Sequence, residues 1–152
     1  MNVFFKEIKL KETARFFRVL SDEARLQMLW LLFNNRELCV CDFMEVLEIT
    51  QSKASRHLAA LRNAGLATDR REGLWSYYSL RPVEDELVGA HLKLLKASLS
   101  KRADAKQLLA RLSAWLKAKK SGETCAGNSA CARTPRSARS SAQSPYFSGG
   151  AR

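Results

Sequence analysis

A short apolar-periodic stretch from Asp42 to Glu48 is followed, after only a few residues, by a second from Gln51 to Ala64, and this close succession constrains the fold more than any other feature of the chain. In the first stretch Phe43, Val46 and Leu47 share a face; in the second Ala54, Leu58 and Leu61 do. Thr50 stands where its hydroxyl can accept from the free N–H groups that open a helix, and Gly65 where a left-handed residue closes one. Two helices joined this tightly, the second of them basic, form a helix-turn-helix pattern.

The flanking segments supply a scaffold and a wing. Ala14, Phe17, Val19 and Leu20 predict a first helix that stops at Ser21, a side chain suited to capping the next, with Asp22 and Glu23 in the electropositive first turn. Leu26, Leu29, Trp30, Leu32 and Phe33 then recur at helical spacing up to Asn34 and Asn35, the mark of a buried helix. Beyond Gly65, the runs Ala67 to Arg71 and Trp75 to Leu80, separated by Glu72 and Gly73, predict a basic and aromatic hairpin that Pro82 ends. From Val83 the pattern is helical again, with Val88, Leu92, Leu95 and Leu99 on one stripe and Leu108, Leu109, Leu112, Trp115 and Leu116 on another. A single winged module offers too little surface to cover all of this, so a partner subunit is expected. The fold expected is mainly α with a small β-hairpin: a homodimeric winged helix-turn-helix. Residues 1–120 make the domain, and the Ser-, Ala-, Gly- and Arg-rich stretch 121–152, almost without large apolar residues, is expected to be a disordered tail.

The formal net charge of +11 favours a polyanionic partner, nucleic acid or an acidic surface. The opening MNVFFKEIKLKETARFF has charges scattered through it and no apolar run that could serve as a secretory core, and no stretch approaches the roughly 18 apolar residues of a membrane span. The expectation is a cytoplasmic protein with no membrane partner, in which four cysteines act as ligands or reactive groups rather than as a disulfide frame.

The exposed side of the second helix carries Gln51, Ser52, Ser55 and Arg56. Gln can bond adenine in bidentate fashion, Ser is permissive, and Arg reads guanine or clamps phosphate, so these four are the candidate base readers, with Lys53 on phosphate. Arg70 and Arg71 on the hairpin are candidates for gripping phosphate or the minor groove. Trp75, Tyr77 and Tyr78 alternate along a strand and put most of their area into the core.

Taken together, SDEARLQMLWLL, ELCVCDF, ITQSKASRHLAALRNAGL and REGLWSYYSL resemble the arsenic-responsive branch of the ArsR family of metalloregulatory repressors, over roughly Thr13 to Leu99. The resemblance implies a winged-helix homodimer whose first and last helices build the interface. It implies double-stranded operator DNA as partner, and an inducer, arsenite or antimonite, that weakens the DNA complex; no permanent cofactor is implied. Cys39 and Cys41 stand where such members carry arsenite ligands. A third cysteine is common three residues later in the family, and here that position is Met44. His57 falls within the family pattern SRHL and is assigned to packing or a phosphate bond. Some relatives bind zinc between their last helices; Glu84, Asp85, Glu86 and His91 offer one histidine for this and are read as acids at a helix start.

Two thiolates on one small ion must lie within about 4 Å of each other, given metal–sulfur distances near 2.3 Å. Residues two apart in a helix point to nearly opposite sides, since each step turns about 100°. Cys39 and Cys41 can therefore share an ion only if the backbone around Val40 is extended or unwound. Capture would then distort the start of the first helix of the DNA-binding pair and displace its neighbour from the groove. Thiolates select soft ions and reject magnesium or calcium. Cys125 and Cys131, on the tail, are the candidates for a third ligand. The alternative function is a winged-helix regulator that senses another thiophilic metal or oxidants through the same cysteines. An enzymatic thiol oxidoreductase is not expected, because no redox scaffold of alternating strands and helices surrounds the C-x-C.

Overall fold

The computed structural model describes residues 3–121, with side chains from Leu10 to Lys120. The elements run α1 (Val3–Leu20), α2 (Glu23–Phe33), β1 (Leu38–Cys39), α3 (Val40–Leu47), α4 (Gln51–Asn63), β2 (Ala67–Glu72), β3 (Trp75–Leu80), α5 (Glu86–Leu99) and α6 (Ala103–Ser121). The expected tail beyond Ser121, with Cys125 and Cys131, lies outside the described residues.

Helix α2 is the axis of the core. Six consecutive residues, Met28 to Phe33, are buried, so the helix is covered on every side rather than along one stripe. Its cap is Asp22, whose carboxylate accepts from the Arg25 N–H at 3.2 Å, and not Ser21 as expected. Ser21 instead turns its hydroxyl back to the Arg18 carbonyl at 2.7 Å, closing α1. Arg25 adds to that closure by donating to the Val19 carbonyl at 2.6 Å, so one short link satisfies the ends of two helices. At the far end Asn34 and Asn35 each donate a side-chain N–H to a carbonyl four residues back.

The helix-turn-helix is where the pattern placed it. Thr50 caps α4, accepting from the Lys53 N–H at 3.3 Å. Gly65, at φ +77, ends it with two reversed bonds: its own N–H to Arg62 and the Leu66 N–H to Leu61. That is the Schellman closure, which needs a left-handed residue. Between the two helices Glu48 takes a left-handed conformation at φ 54.

The wing is a two-residue hairpin. Glu72 pairs with Trp75, so Gly73 and Leu74 form the loop and β2 runs one residue further than the sequence suggested. Gly73, at φ 62, occupies the first loop position, which favours glycine in such turns. Leu74, 94 % exposed, is the tip. Strand β1 was not expected. It pairs antiparallel with β3, Leu38 opposite Tyr78 and Cys39 opposite Tyr77, giving a three-stranded sheet in the order β1-β3-β2.

Helix α5 starts at Glu86, not Val83, with Asp85 as its cap. Helix α6 packs on α2 and α3 of its own chain, burying Ala105, Leu108 and Leu112, and the Trp30 indole N–H donates to the Ala105 carbonyl at 2.7 Å. The stripe expected to need a second subunit is thus largely covered within the chain. Among the described side chains, the large apolar ones left outside on helices are Leu10 and Phe17 of α1 and Leu87 and Leu94 of α5. His91 lies among these, its ring 5.1 Å from that of Phe17 and its Nδ1 at 2.8 Å from the Leu87 carbonyl oxygen. Asp85 is occupied as a cap. Among the described residues no helix is long and apolar enough to cross a membrane.

Candidate thiol centre and nucleic-acid interface

Cys39 and Cys41 straddle a change of backbone state. Cys39 is extended, at φ −77 and ψ 155, as the last residue of β1 and the cap of α3; Val40 is already helical and Cys41 lies in the first turn. The sequence argument required extended or unwound backbone around Val40; the structure has extended backbone at Cys39 and helix from Val40 onward, so the change of state falls between the two. The neighbouring Cys41 side chain, followed by burial, holds the Cys39 thiol far above its ordinary range, so Cys39 carries a proton. Cys41 is half-buried and forms the approachable side of the pair.

Asp42 underpins the junction. It is 3 % exposed and is the one buried charged side chain among the described residues. Its Oδ2 accepts from the Cys39 backbone N–H at 2.8 Å, which fixes the start of α3. Its Oδ1 accepts from the Trp115 indole N–H and from the Lys119 ammonium, both at 2.8 Å and both on α6. The same ammonium lies 3.6 Å from the Cys41 sulfur. Burial works against the charge on Lys119, but the Asp42 carboxylate outweighs it and holds the lysine above its ordinary range. Sequence reading missed this cluster: Trp115 was assigned to an apolar stripe, and Lys119 carried no signal beyond its charge.

The donor set suits a soft, sulfur-seeking ion. Among the described residues no group of three or more His, Cys, Asp or Glu side chains is disposed to hold a metal ion, so a third ligand is not found there. Met44 is half-buried and packs against the core. Oxygen-seeking cations have no cage in this corner.

On α4 Ala54, Leu58 and Leu61 are buried, while Gln51, Ser52, Lys53, Ser55 and Arg56 are exposed, so all five candidate contacts stand together at the first two turns. His57 is half-buried, and its Nδ1 lies 3.8 Å from an Asp22 carboxylate oxygen at the start of α2, which gives it a packing and pairing role. The two wing arginines differ. Arg71 is exposed. Arg70, expected on DNA, is held by its own chain: its Nε donates to Glu37 at 2.9 Å, its Nη1 to Glu72 at 2.6 Å, and its guanidinium lies 4.5 Å from the centre of the Tyr77 ring. Tyr77 is paired with Cys39, and Glu37 directly precedes β1, so the wing and the thiol segment are tied through Arg70 as well as through the sheet.

A helix pair with its second helix exposed at the basic end, flanked by a two-stranded wing, defines a winged helix-turn-helix protein of the kind that reads nucleic acid. The family profile "Bacterial regulatory protein, arsR family" matches residues 22–69. The chain is 48 % identical over 77 residues to an arsenic resistance transcriptional regulator of Pseudomonas putida, a match covering 51 % of this chain and 60 % of that protein. It is 41 % identical over 93 residues to a cadmium resistance transcriptional regulatory protein homologue of Staphylococcus aureus, covering 60 % of this chain and 71 % of that one. Among solved structures, the homodimeric winged helix-turn-helix DNA-binding domain of a possible ArsR-family regulator from Mycobacterium bovis superposes with a TM-score of 0.53 at 30 % identity, covering 63 % of this chain and 85 % of that one. The chain belongs to the ArsR family of bacterial regulatory proteins. It spans less than two thirds of the length of the first curated relatives it matches. These relatives are named as transcriptional regulators, in keeping with the expectation that the chain is not an enzyme.

Proposed function

We propose that this protein is a homodimeric transcriptional repressor, acting in the cytoplasm, that leaves its operator DNA when arsenite or antimonite is captured by Cys39 and Cys41. The observation that carries the reading is the position of the two thiols, at the joint between the strand that pairs with the wing and the helix that supports α4. Gln51, Ser52, Ser55 and Arg56 face the bases, Lys53 and Arg71 grip phosphate, and the apolar faces of α1 and α5 join two copies across a two-fold operator.

Capture needs no oxidant. Each thiol sulfur replaces one hydroxyl of arsenous acid, and the thiol proton leaves with that hydroxyl as water, so two cysteines and As(OH)₃ give a dithiolate arsenic hydroxide and two waters. The proton held on Cys39 is therefore no obstacle. Cys125 or Cys131 supplies a third sulfur: Lys119 of α6 already lies beside Cys41, and the four-residue step from Ser121, where α6 ends, to Cys125 spans up to about 14 Å at full extension. Pulling the sulfurs onto one ion shifts β1 against β3 and the start of α3 together. Ion and DNA then favour different shapes of one segment, and turning a mostly bound population into a mostly free one takes about 5.5 kcal/mol of differential affinity. Cadmium is the second reading, favoured by the name of the Staphylococcus relative.

The test is fluorescence anisotropy of a labelled duplex, selected from a random-sequence pool with the protein itself, titrated with sodium arsenite beside cadmium chloride and hydrogen peroxide. Arsenite is expected to release the duplex at the lowest concentration; release by peroxide alone would refute the metalloid reading. On the same duplex Arg56→Ala weakens binding by about 1–3 kcal/mol, and Lys53→Ala lowers the salt slope by about one unit. Unchanged affinity in Arg56→Ala would remove α4 from the reading surface.

A further inference from the structure

We infer that Trp115 and Lys119 of α6, acting through Asp42, are positioning residues of the thiol centre, so that the C-terminal helix is part of the inducer site. The inference rests on the reading of Cys39 and Cys41 as inducer ligands. A carboxylate that served only to start α3 would need the single bond from the Cys39 N–H. Asp42 has that bond on one oxygen and devotes the other to α6, where Trp115 and Lys119 both donate at 2.8 Å across more than 70 residues of sequence. Lys119 then reaches past the carboxylate to the Cys41 sulfur at 3.6 Å. Each cysteine is thus held by a link that begins on α6: Cys39 through Asp42 and its own backbone, Cys41 directly through the ammonium.

Buried ion pairs add little net stability compared with apolar residues of the same volume, so this arrangement is poorly explained as a stabiliser of the fold. Its geometry does something an apolar contact could not. It fixes the backbone that carries Cys39 and touches the Cys41 sulfur directly, and it places a positive charge beside the sulfur that first meets the inducer. The cluster lies apart from the exposed face of α4, so it governs capture rather than DNA affinity.

The experiment compares the full-length parent with Lys119→Met, Lys119→Arg and Trp115→Phe. Arsenite affinity is measured by equilibrium dialysis, DNA affinity on the selected duplex, and folding by thermal melting. Outer partners of metal ligands are commonly worth 10-fold or more in affinity, so Lys119→Met is expected to weaken arsenite binding about tenfold while DNA affinity stays within about twofold. Lys119→Arg recovers most of the arsenite affinity, because it restores the donor and the charge. In the parent, Trp115 emission is expected to change on arsenite binding, because its indole N–H bonds the carboxylate that positions Cys39, and Trp115→Phe is expected to lose that change. Arsenite binding by Lys119→Met equal to the parent's overturns the inference, as does a matched loss of arsenite affinity, DNA affinity and melting temperature that Lys119→Arg does not relieve. A parent that binds no arsenite overturns the functional reading instead, which keeps the two failures distinct.

Discussion

Cys39→Ser and Cys41→Ser are each expected to bind the selected duplex as the parent does and to retain it at arsenite concentrations that empty the parent. The argument is one of valence and softness. A serine oxygen does not replace a thiolate toward a soft ion, and one sulfur of the pair, even with a tail sulfur beside it, no longer draws Cys39 and Cys41 onto one ion, the movement that must supply about 5.5 kcal/mol of differential affinity. Each tenfold shift of the arsenite midpoint is worth about 1.4 kcal/mol, so losing half of that differential moves it by about 100-fold. The substitutions are also unusually safe for the fold. Cys39 is the cap of α3, a position that favours serine, and the Asp42 bond to its backbone N–H does not involve the sulfur. Anisotropy under arsenite titration reads the result, and release of either variant at the parent's midpoint would end the assignment of the site. Cys125→Ser and Cys131→Ser, tested beside them, shift the midpoint less, and only the one that supplies the third sulfur does so.

What was legible in advance was local. The cap at Thr50, the closure at Gly65 and the buried stripe Ala54, Leu58 and Leu61 are all set by residues within one helix length, and α4 follows from them directly. Asp22 was placed one position too far into α2 because Ser21 and Asp22 are both good caps, and only the carbonyl of Arg18 decides between them. The wing loop was placed at Glu72 and Gly73 because a charged residue before a glycine reads as a turn; the pairing of Glu72 with Trp75 moves it to Gly73 and Leu74. Strand β1 has two residues and no periodicity; it exists because the edge of β3 is there to pair with it. The same holds for Arg70, whose partner Glu37 lies 33 residues away, and for the Asp42 cluster, whose partners lie on the last helix. Periodicity showed that the stripe of α6 must be buried, but not that its own chain covers it. Among the described residues the faces of α1 and α5 that carry Phe17 and Leu94 stay exposed, and these are the faces we propose for the dimer contact.

Asp42→Ala should be among the most destabilising single changes in the protein. It removes three hydrogen bonds at once and leaves a backbone N–H and an indole N–H with no acceptor, and an ammonium with only the weakly accepting Cys41 sulfur, in a buried corner. Breaking one side of a buried pair costs about 3–5 kcal/mol, because the partner's desolvation is no longer offset. Lys119, still 23 % exposed, can swing part of its charge into water, which sets the expectation at about 3 kcal/mol, the low end of that range. Against a typical domain stability of 5–15 kcal/mol this is a large fraction. Asp42→Asn keeps an acceptor of the same shape but not the charge, and so falls between alanine and the parent. The pair must also be non-additive: once Asp42 is alanine, Lys119→Met relieves a stranded ammonium, so the double variant loses less than the two single losses combined. Urea denaturation followed by circular dichroism measures all four proteins. A loss below about 1 kcal/mol in Asp42→Ala, or strict additivity with Lys119→Met, would mean that α6 and the start of α3 are held together by Leu108, Leu112 and their neighbours alone, with the carboxylate as a passenger.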